Sequence, residues 1–223
     1  MSTNPSRKIL VVGATGGSGR AAIAALTADG HHVTAFSRNA ERLRSEDPKI
    51  TTINGDVMNR ADVDHAVAGQ DVVVVTLGIT ENPIRVQLLG PARTPLDVRS
   101  AGTSHIIDAM NAHGVDRLVV QSSYGIGPTQ QHLRFVDRLF FASVVRKQMA
   151  DTAIQDRMVR DSGLDWTLIQ PVHLTDATES APPMLSTIGE TREMKVSRAA
   201  VGRAVSEVVA DSALSYETVS VSG

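Results

Sequence analysis

The sequence predicts a single α/β domain built on a doubly wound parallel sheet with helices on both faces. Three observations lead there. Apolar runs of strand length alternate with stretches of helical spacing along the whole chain, the pattern of successive right-handed crossovers. The runs are continuous rather than alternating, as in Ile9-Leu10-Val11-Val12 and Val72-Val73-Val74-Val75, so both sheet faces should be covered. Finally, 223 residues, 42% hydrophobic and 21% charged, suffice for one full core and leave no room for a second large domain. One domain is expected over residues 1–223.

Taken in order, Lys8 to Val12 is a first strand that ends in Gly13. Gly19 to Leu26 is alanine-rich with helical spacing, and Gly30 closes it as a C-cap. His32 to Phe36 reads as a strand, Ala40 to Ser45 as a short helix, Ile50 to Asn54 as a strand and Arg60 to Val67 as a helix. Asp71 to Val75 is the fourth strand. After a proline-interrupted loop from Ile79 to Pro95, Leu96 to His113 is helical and Arg117 to Gln121 is the fifth strand. A long helix, bent or broken midway, is expected from Phe135 to Asp161, followed by a strand from Trp166 to Gln170. The stretch from Pro171 to Met194 is rich in Pro, Thr and Ser and carries no clear element. Residues 171–196 are therefore read as a loop covering the substrate. Ser197 caps a last helix from Arg198 to Ala210, and Glu217 to Ser222 is the final strand.

Several function classes are disfavoured by composition. A formal net charge of -2 with Lys and Arg scattered singly offers no stripe to track nucleic acid phosphates. The absence of cysteine removes disulfides, thiolate metal sites and cysteine nucleophiles. His31, His32, His65, His105, His113 and His132 lack metal-ligand spacing, so no metal is expected. The apolar runs fall far short of the roughly 20 residues that span a bilayer, and Met1 to Lys8 does not resemble a secretory signal. A cytoplasmic protein with a small-molecule partner, and neither nucleic acid nor membrane, is the expectation.

Gly13-Ala14-Thr15-Gly16-Gly17-Ser18-Gly19 sits where the first strand turns into the first helix. A pyrophosphate needs this arrangement, because side chains would block its approach and the helix N-terminus supplies N–H donors and a positive dipole. Gly13 would make the tight turn, Gly16 admit the phosphates and Gly19 let the helix pack on the strand, with Thr15, Gly17 and Ser18 completing the cradle. The turn makes the predicted domain Rossmann-type. A Gly-Lys-Ser/Thr ending is missing, which disfavours a nucleoside triphosphate. At the end of the second strand, where an acid would grip a ribose 2′-hydroxyl, the chain has Ser37-Arg38. A guanidinium and a hydroxyl there suit a 2′-phosphate, with Arg42 one turn on, so NADP(H) is predicted over NAD(H). The alternative is that Arg38 is a solvated surface residue. Asp56 either accepts from the adenine amine, with Val57 packed on the ring, or merely opens a helix. Leu77-Gly78, ending the fourth strand, would border the pyrophosphate and ribose.

With these motifs the chain resembles the atypical short-chain dehydrogenase/reductases that bind NAD(P)H, a group that includes flavin reductase and biliverdin reductase B type proteins and NmrA-like regulators. The run from Asp161 to Pro171 is similar to the family's segment in which Ser-Gly-Leu and an aromatic lead through a strand to proline. The resemblance implies that Pro171, Val172 and His173 approach the nicotinamide. Pro171-Val172-His173 is similar to a Pro-x-His pattern of the flavin and biliverdin reductase type, while Gln170 departs from the arginine many relatives carry. It also implies that Ser123, beside Ser122, occupies the family's active-site serine position.

The Tyr-x-x-x-Lys dyad of most short-chain dehydrogenases is absent, since Tyr124 is followed by Pro128 and Tyr216 by Ser220. Hydride transfer needs no protein acid when the acceptor delocalises charge, so a flavin, a quinone or another conjugated acceptor fits better than a ketone. Ser123 would hydrogen-bond the carboxamide or the acceptor, or simply satisfy the strand end. Tyr124 would line the acceptor pocket or donate a proton, or be an ordinary loop tyrosine. His173 would exchange a proton near neutral pH or be structural. Arg134, Arg138, Arg146 and Lys147 read best as a solvated helix face and Phe135, Phe140 and Phe141 as core, with an acceptor-binding role as the alternative. An NADPH-dependent reductase is the leading expectation. A non-catalytic NADP(H) sensor and, behind it, a sugar-nucleotide epimerase-like enzyme are the alternatives.

Overall fold

The computed structural model describes residues 5–46, 50–79, 94–133, 146–177 and 181–223. Strands β1 (Lys8–Val12), β2 (His32–Ser37), β3 (Thr51–Asn54) and β4 (Val72–Val75) alternate with helices α1 (Gly17–Ala28), α2 (Glu41–Glu46) and α3 (Arg60–Val67). Helix α4 (Val98–His113) leads to β5 (Arg117–Gln121) and a 3-10 turn (Gly127–His132). Then come α5 (Arg146–Arg160), β6 (Asp165–Pro171), β7 (His173–Thr175), β8 (Met184–Ser186), β9 (Lys195–Ser197), α6 (Arg198–Ala210) and β10 (Glu217–Ser222). Eight strands form one sheet in the order β3-β2-β1-β4-β5-β6-β10-β8, parallel throughout except for the edge pairing of β8 with β10.

Buried strands send alternate side chains to two cores. Ile9, Val11, Val74, Val119, Ile169 and Val221 pack with α1 and α6 through Ile23, Leu26, Val201 and Val205. Leu10, Val12, Val73, Val75, Val120 and Leu168 pack with α3, α4 and α5 through Val63, Ile106, Met110 and Val159. The continuous apolar runs of β1 and β4 are thus consumed on both faces, as expected of a doubly wound sheet.

Five of the predicted elements have the predicted bounds: β1, α3, β5, α6 and β10. Helix α6 is capped as predicted, with the Ser197 hydroxyl accepting from the Ala200 N–H at 3.0 Å. Gly30, at φ +85°, takes the left-handed position that ends α1. The region from Pro171 to Met194 requires a correction. It contains β7, which pairs with β9, and β8, which extends the main sheet through Val221 opposite Leu185. The expected loop from Ile79 to Pro95 and the front of the expected long helix fall mainly on residues 80–93 and 134–145, outside the described residues.

Candidate functional site

Strand order reverses between β1 and β4, and at their carboxyl ends a cleft of about 820 Å³ opens at this switch point. Val12, Gly13, Thr15, Gly16, Gly17 and Ser18 form one wall. Gly13 turns the chain at φ +82°, and a Cβ there would lie 2.8 Å from the Thr76 carbonyl oxygen. A Cβ on Gly19 would lie 2.4 Å from the Gly13 carbonyl oxygen, so this glycine lets α1 start directly against the turn, and it is buried rather than in the cleft wall. Helix α1 begins at Gly16 with no side-chain cap and no acid in its first turn, which keeps its N-terminal donors and dipole for a ligand. Arg198 leans across this end, its Cδ 2.6 Å from where a Gly17 Cβ would be, and is ion-paired with Asp176.

Ser37 and Arg38 line the cleft at the end of β2. The Ser37 hydroxyl is shielded from solvent and has no hydrogen-bond partner among the described residues, the condition of a group waiting for a ligand. Asp56 does not open α3, which is capped by Asn59 accepting from Ala61 N–H at 3.0 Å. Instead Asp56 accepts from the Met58 N–H at 3.0 Å and lines the cleft with Val57. Val57 and Leu77 are pressed from behind by α4 at Gly102, where a Cβ would lie 2.8 and 2.9 Å from them.

The other end of the cleft is bounded by Leu77, Gly78, Val98, Arg99, Gln121 and Leu174. Gly78, expected only to make room for cofactor, also makes room for protein: a Cβ there would sit 3.0 Å from the Arg99 guanidinium. The Gln121 side-chain oxygen is buried and unpartnered among the described residues. Ser122, Ser123, Tyr124, Pro171, Val172 and His173 are not brought into the cleft wall. Ser123 is half-buried and next in chain to the buried Ser122, while His173 is exposed on β7. Pro171 and Val172 are buried at the end of β6. Tyr124 is a correction: its ring belongs to the core under α1 and α6, and its hydroxyl donates to the Gly189 carbonyl at 2.9 Å. That contact occupies the proton a donor would supply, and burial pushes the phenol pKa up.

Behind β5, Asp156 of α5 is buried and accepts from the Gln170 amide at 3.2 Å. Burial pushes its carboxyl up to about 6, against the opposing pull of Ser122, Gln170, Arg160 and Arg99. Gln170, where an arginine is common in the resembling family, also donates to Ile126 and accepts from Thr129. A neutral amide here ties β6 to the 3-10 turn without adding charge beside Asp156.

A family described as NAD(P)H-binding matches the chain over residues 13–212. The chain belongs to this family. As an NAD(P)H-binding protein it takes a nicotinamide dinucleotide, and the cleft fits one: a turn where a Cβ on Gly13 or Gly19 would meet backbone, an uncapped helix end and a hydroxyl at the end of β2 without a partner among the described residues. It is 24% identical to an uncharacterized chloroplastic protein of Arabidopsis thaliana over 97% of this chain and 76% of that one. It spans between 32% and 55% of five further curated reductases and dehydrogenases that it matches. Its fold is similar to that of a Veillonella parvula short-chain dehydrogenase/reductase in complex with NADP, with a TM-score of 0.78, 18% identity and coverage of 98% and 95%. It is also similar to an anaerobillin reductase from Escherichia coli O157:H7, with a TM-score of 0.72, 19% identity and 96% of both chains covered.

Among the cleft residues that the sequence reading did not single out are Thr76, Arg99, Gln121 and Arg198. Thr76 follows β4 and donates to the Val12 carbonyl at 2.9 Å, locking the two strand ends together. Its signal was present, as a polar residue ending an apolar run. Gln121 had the same signal. Arg99 and Arg198 had none, because each reaches the cleft from a helix start distant in sequence. No helix among the described residues is long and apolar enough to cross a membrane.

Proposed function

We propose that this protein is an NADPH-dependent reductase of a small conjugated acceptor such as a flavin or a quinone. The observation that carries the cofactor half is the orphaned Ser37 hydroxyl beside Arg38 at the end of β2, with no acid there to hold a 2′-hydroxyl and repel a phosphate. Gly13, Thr15, Gly16, Gly17 and Ser18 hold the pyrophosphate against α1, with Gly19 fixing the helix beneath them. Asp56 and Val57 take the adenine, and Leu77 and Gly78 pass the chain of the cofactor toward β5.

When bound, the nicotinamide supplies a hydride, one proton with two electrons, and is left oxidised. The acceptor gains that hydride at a conjugated atom and its second proton from water. Nothing in the described residues replaces the missing tyrosine and lysine, and Tyr124 is engaged with Gly189, which favours an acceptor that stabilises its own charge. The protein's work is orientation: Gln121 offers an acceptor oxygen at the ring end, Ser122 and Ser123 extend that edge, and Leu174 supplies an apolar wall. Pro171, Val172 and His173 lead to Leu174, which reaches the cleft wall, and we take this stretch to border the acceptor of a cytoplasmic enzyme. The anaerobillin reductase of similar fold supports a conjugated substrate.

Oxidation of NADPH followed by absorbance with a panel of flavins, quinones and conjugated carbonyls is the test. Turnover that falls in Ser123→Ala upholds the reading. Tight NADPH binding without turnover of any acceptor overturns it in favour of a sensor.

A further inference from the structure

Among the described residues, four charged side chains line the cleft: Asp56, Arg38, Arg198 and Arg99. The three cations are strung along the sheet edge in strand order. Arg38 ends β2, Arg198 leans over Gly17 at the start of α1, and Arg99 lies between Gly78 after β4 and the Gln121 carbonyl of β5. At the usual strand spacing, Arg38 and Arg99 are roughly 10–15 Å apart across the switch point. An NADP molecule laid along this edge has its fixed negative charges at the 2′-phosphate and the pyrophosphate, facing Arg38 and Arg198. It has none at the nicotinamide end, where Arg99 stands.

Arg99 is nevertheless built in. Its backbone N–H donates to Asp151 at 3.1 Å, and the Ser100 N–H donates to the same carboxylate at 3.3 Å. One guanidinium nitrogen donates to the Gln121 carbonyl at 3.3 Å, and another abuts Gly78. Burial lowers the guanidinium pKa, offset by Asp151 and Asp156, and it stays charged at neutral pH. Asp151 and Asp156 compensate part of the cost of burying this cation, and an anion in the cleft would compensate the side of the guanidinium turned toward it.

Resting on the reductase reading, we infer that the acceptor carries an anionic oxyacid group, carboxylate or phosphate, and that Arg99 binds it and sets specificity. The conjugated ring then lies over the nicotinamide with its acid directed to the ends of β4 and β5. Neutral analogues lose a charge-assisted bond and leave only Asp151 and Asp156 to offset the guanidinium.

Matched acceptors test this in wild type, R99Q and R99K: FMN against riboflavin for phosphate, and a conjugated carboxylic acid against its methyl ester for carboxylate. The expected result is kcat/KM about tenfold or more higher for the acid member of one pair. R99Q should erase that preference, R99K should keep part of it, and NADPH affinity should stay within about twofold, as for any residue that does not touch the cofactor phosphates. The pair that discriminates tells phosphate from carboxylate. Absence of preference in both pairs, preference that survives in R99Q, or an equal loss of NADPH affinity overturns the assignment. A second measurement covers misfolding of R99Q: in wild type, inorganic phosphate or acetate should compete with the acceptor and not with NADPH, and competition with NADPH alone overturns the assignment. If no acceptor is turned over, the reductase reading fails separately. Calorimetric titration of each pair into NADP⁺-loaded wild type and R99K then decides whether Arg99 binds the acid.

Discussion

The two halves of the cleft are made of different material. The half we assign to the cofactor is backbone at its phosphate end: a turn and a helix end, where a Cβ on Gly13 or Gly19 would lie under 3 Å from a carbonyl oxygen. The half we assign to the acceptor is side chains, Arg99, Gln121 and Leu174, brought together from α4, β5 and β7. Where backbone meets backbone, as at Gly13 and Gly19, no added atom is tolerated, whereas a wall of side chains can be retuned one residue at a time. That difference ranks the expected consequences of substitution.

The largest effect should come from Gly19→Ala, whose methyl would meet the Gly13 carbonyl at 2.4 Å. Backbone must move on both sides, costing about 3 kcal/mol or more in stability and abolishing measurable NADPH binding by fluorescence titration. Gly17→Ala makes the sharpest contrast, since its methyl meets only the flexible Arg198 side chain. It should change NADPH affinity by less than about threefold. Comparable losses in the two variants would break the distinction between the two materials.

Next in size is Asp156→Asn. The folded carboxyl titrates at about 6 and its ordinary value is 3.8, so between those pH values the folded state holds a proton that the unfolded chain has released. Stability therefore falls as pH rises through that window, by about 3 kcal/mol once the group is ionised. The asparagine variant should melt higher than wild type at pH 7.5 and match it near pH 4. A variant less stable than wild type at pH 7.5 would show that the ionised carboxylate is well paired.

Arg38→Ala should weaken NADPH by about tenfold while leaving NADH unchanged, as expected for one charge-assisted phosphate contact. Equal losses for both cofactors would place Arg38 away from the 2′-phosphate. Tyr124→Phe is the smallest, with about 1 kcal/mol lost from thermal stability through the Gly189 contact and acceptor turnover kept. A collapse of turnover would restore Tyr124 as a proton donor.

The same division explains what could be read in advance. Strands β1, β4 and β5 announce themselves because burial on both faces demands unbroken apolar runs, and the glycine turn because close approach permits no other residue. Strands β7, β8 and β9 did not, being three residues each, partly exposed, and defined by partners elsewhere. Leu185 becomes a strand residue only by lying opposite Val221. Tyr124 looked available because it follows Ser123, yet Gly189, which takes its hydroxyl, is supplied by a segment that seemed structureless. Arg99 carried no mark in its neighbours, since its setting comes from Gly78 and Gln121. Residues recruited by tertiary contact leave no local pattern.

Helix α6 touches α1 so closely that a Cβ on Gly202 would lie 2.3 Å from the Ala21 carbonyl oxygen. The helix that opens in the glycine turn is thus seated on a helix distant in sequence. Loosening α6 would therefore loosen the turn as well, and a ligand held at the turn would hold the two helices together by mass action.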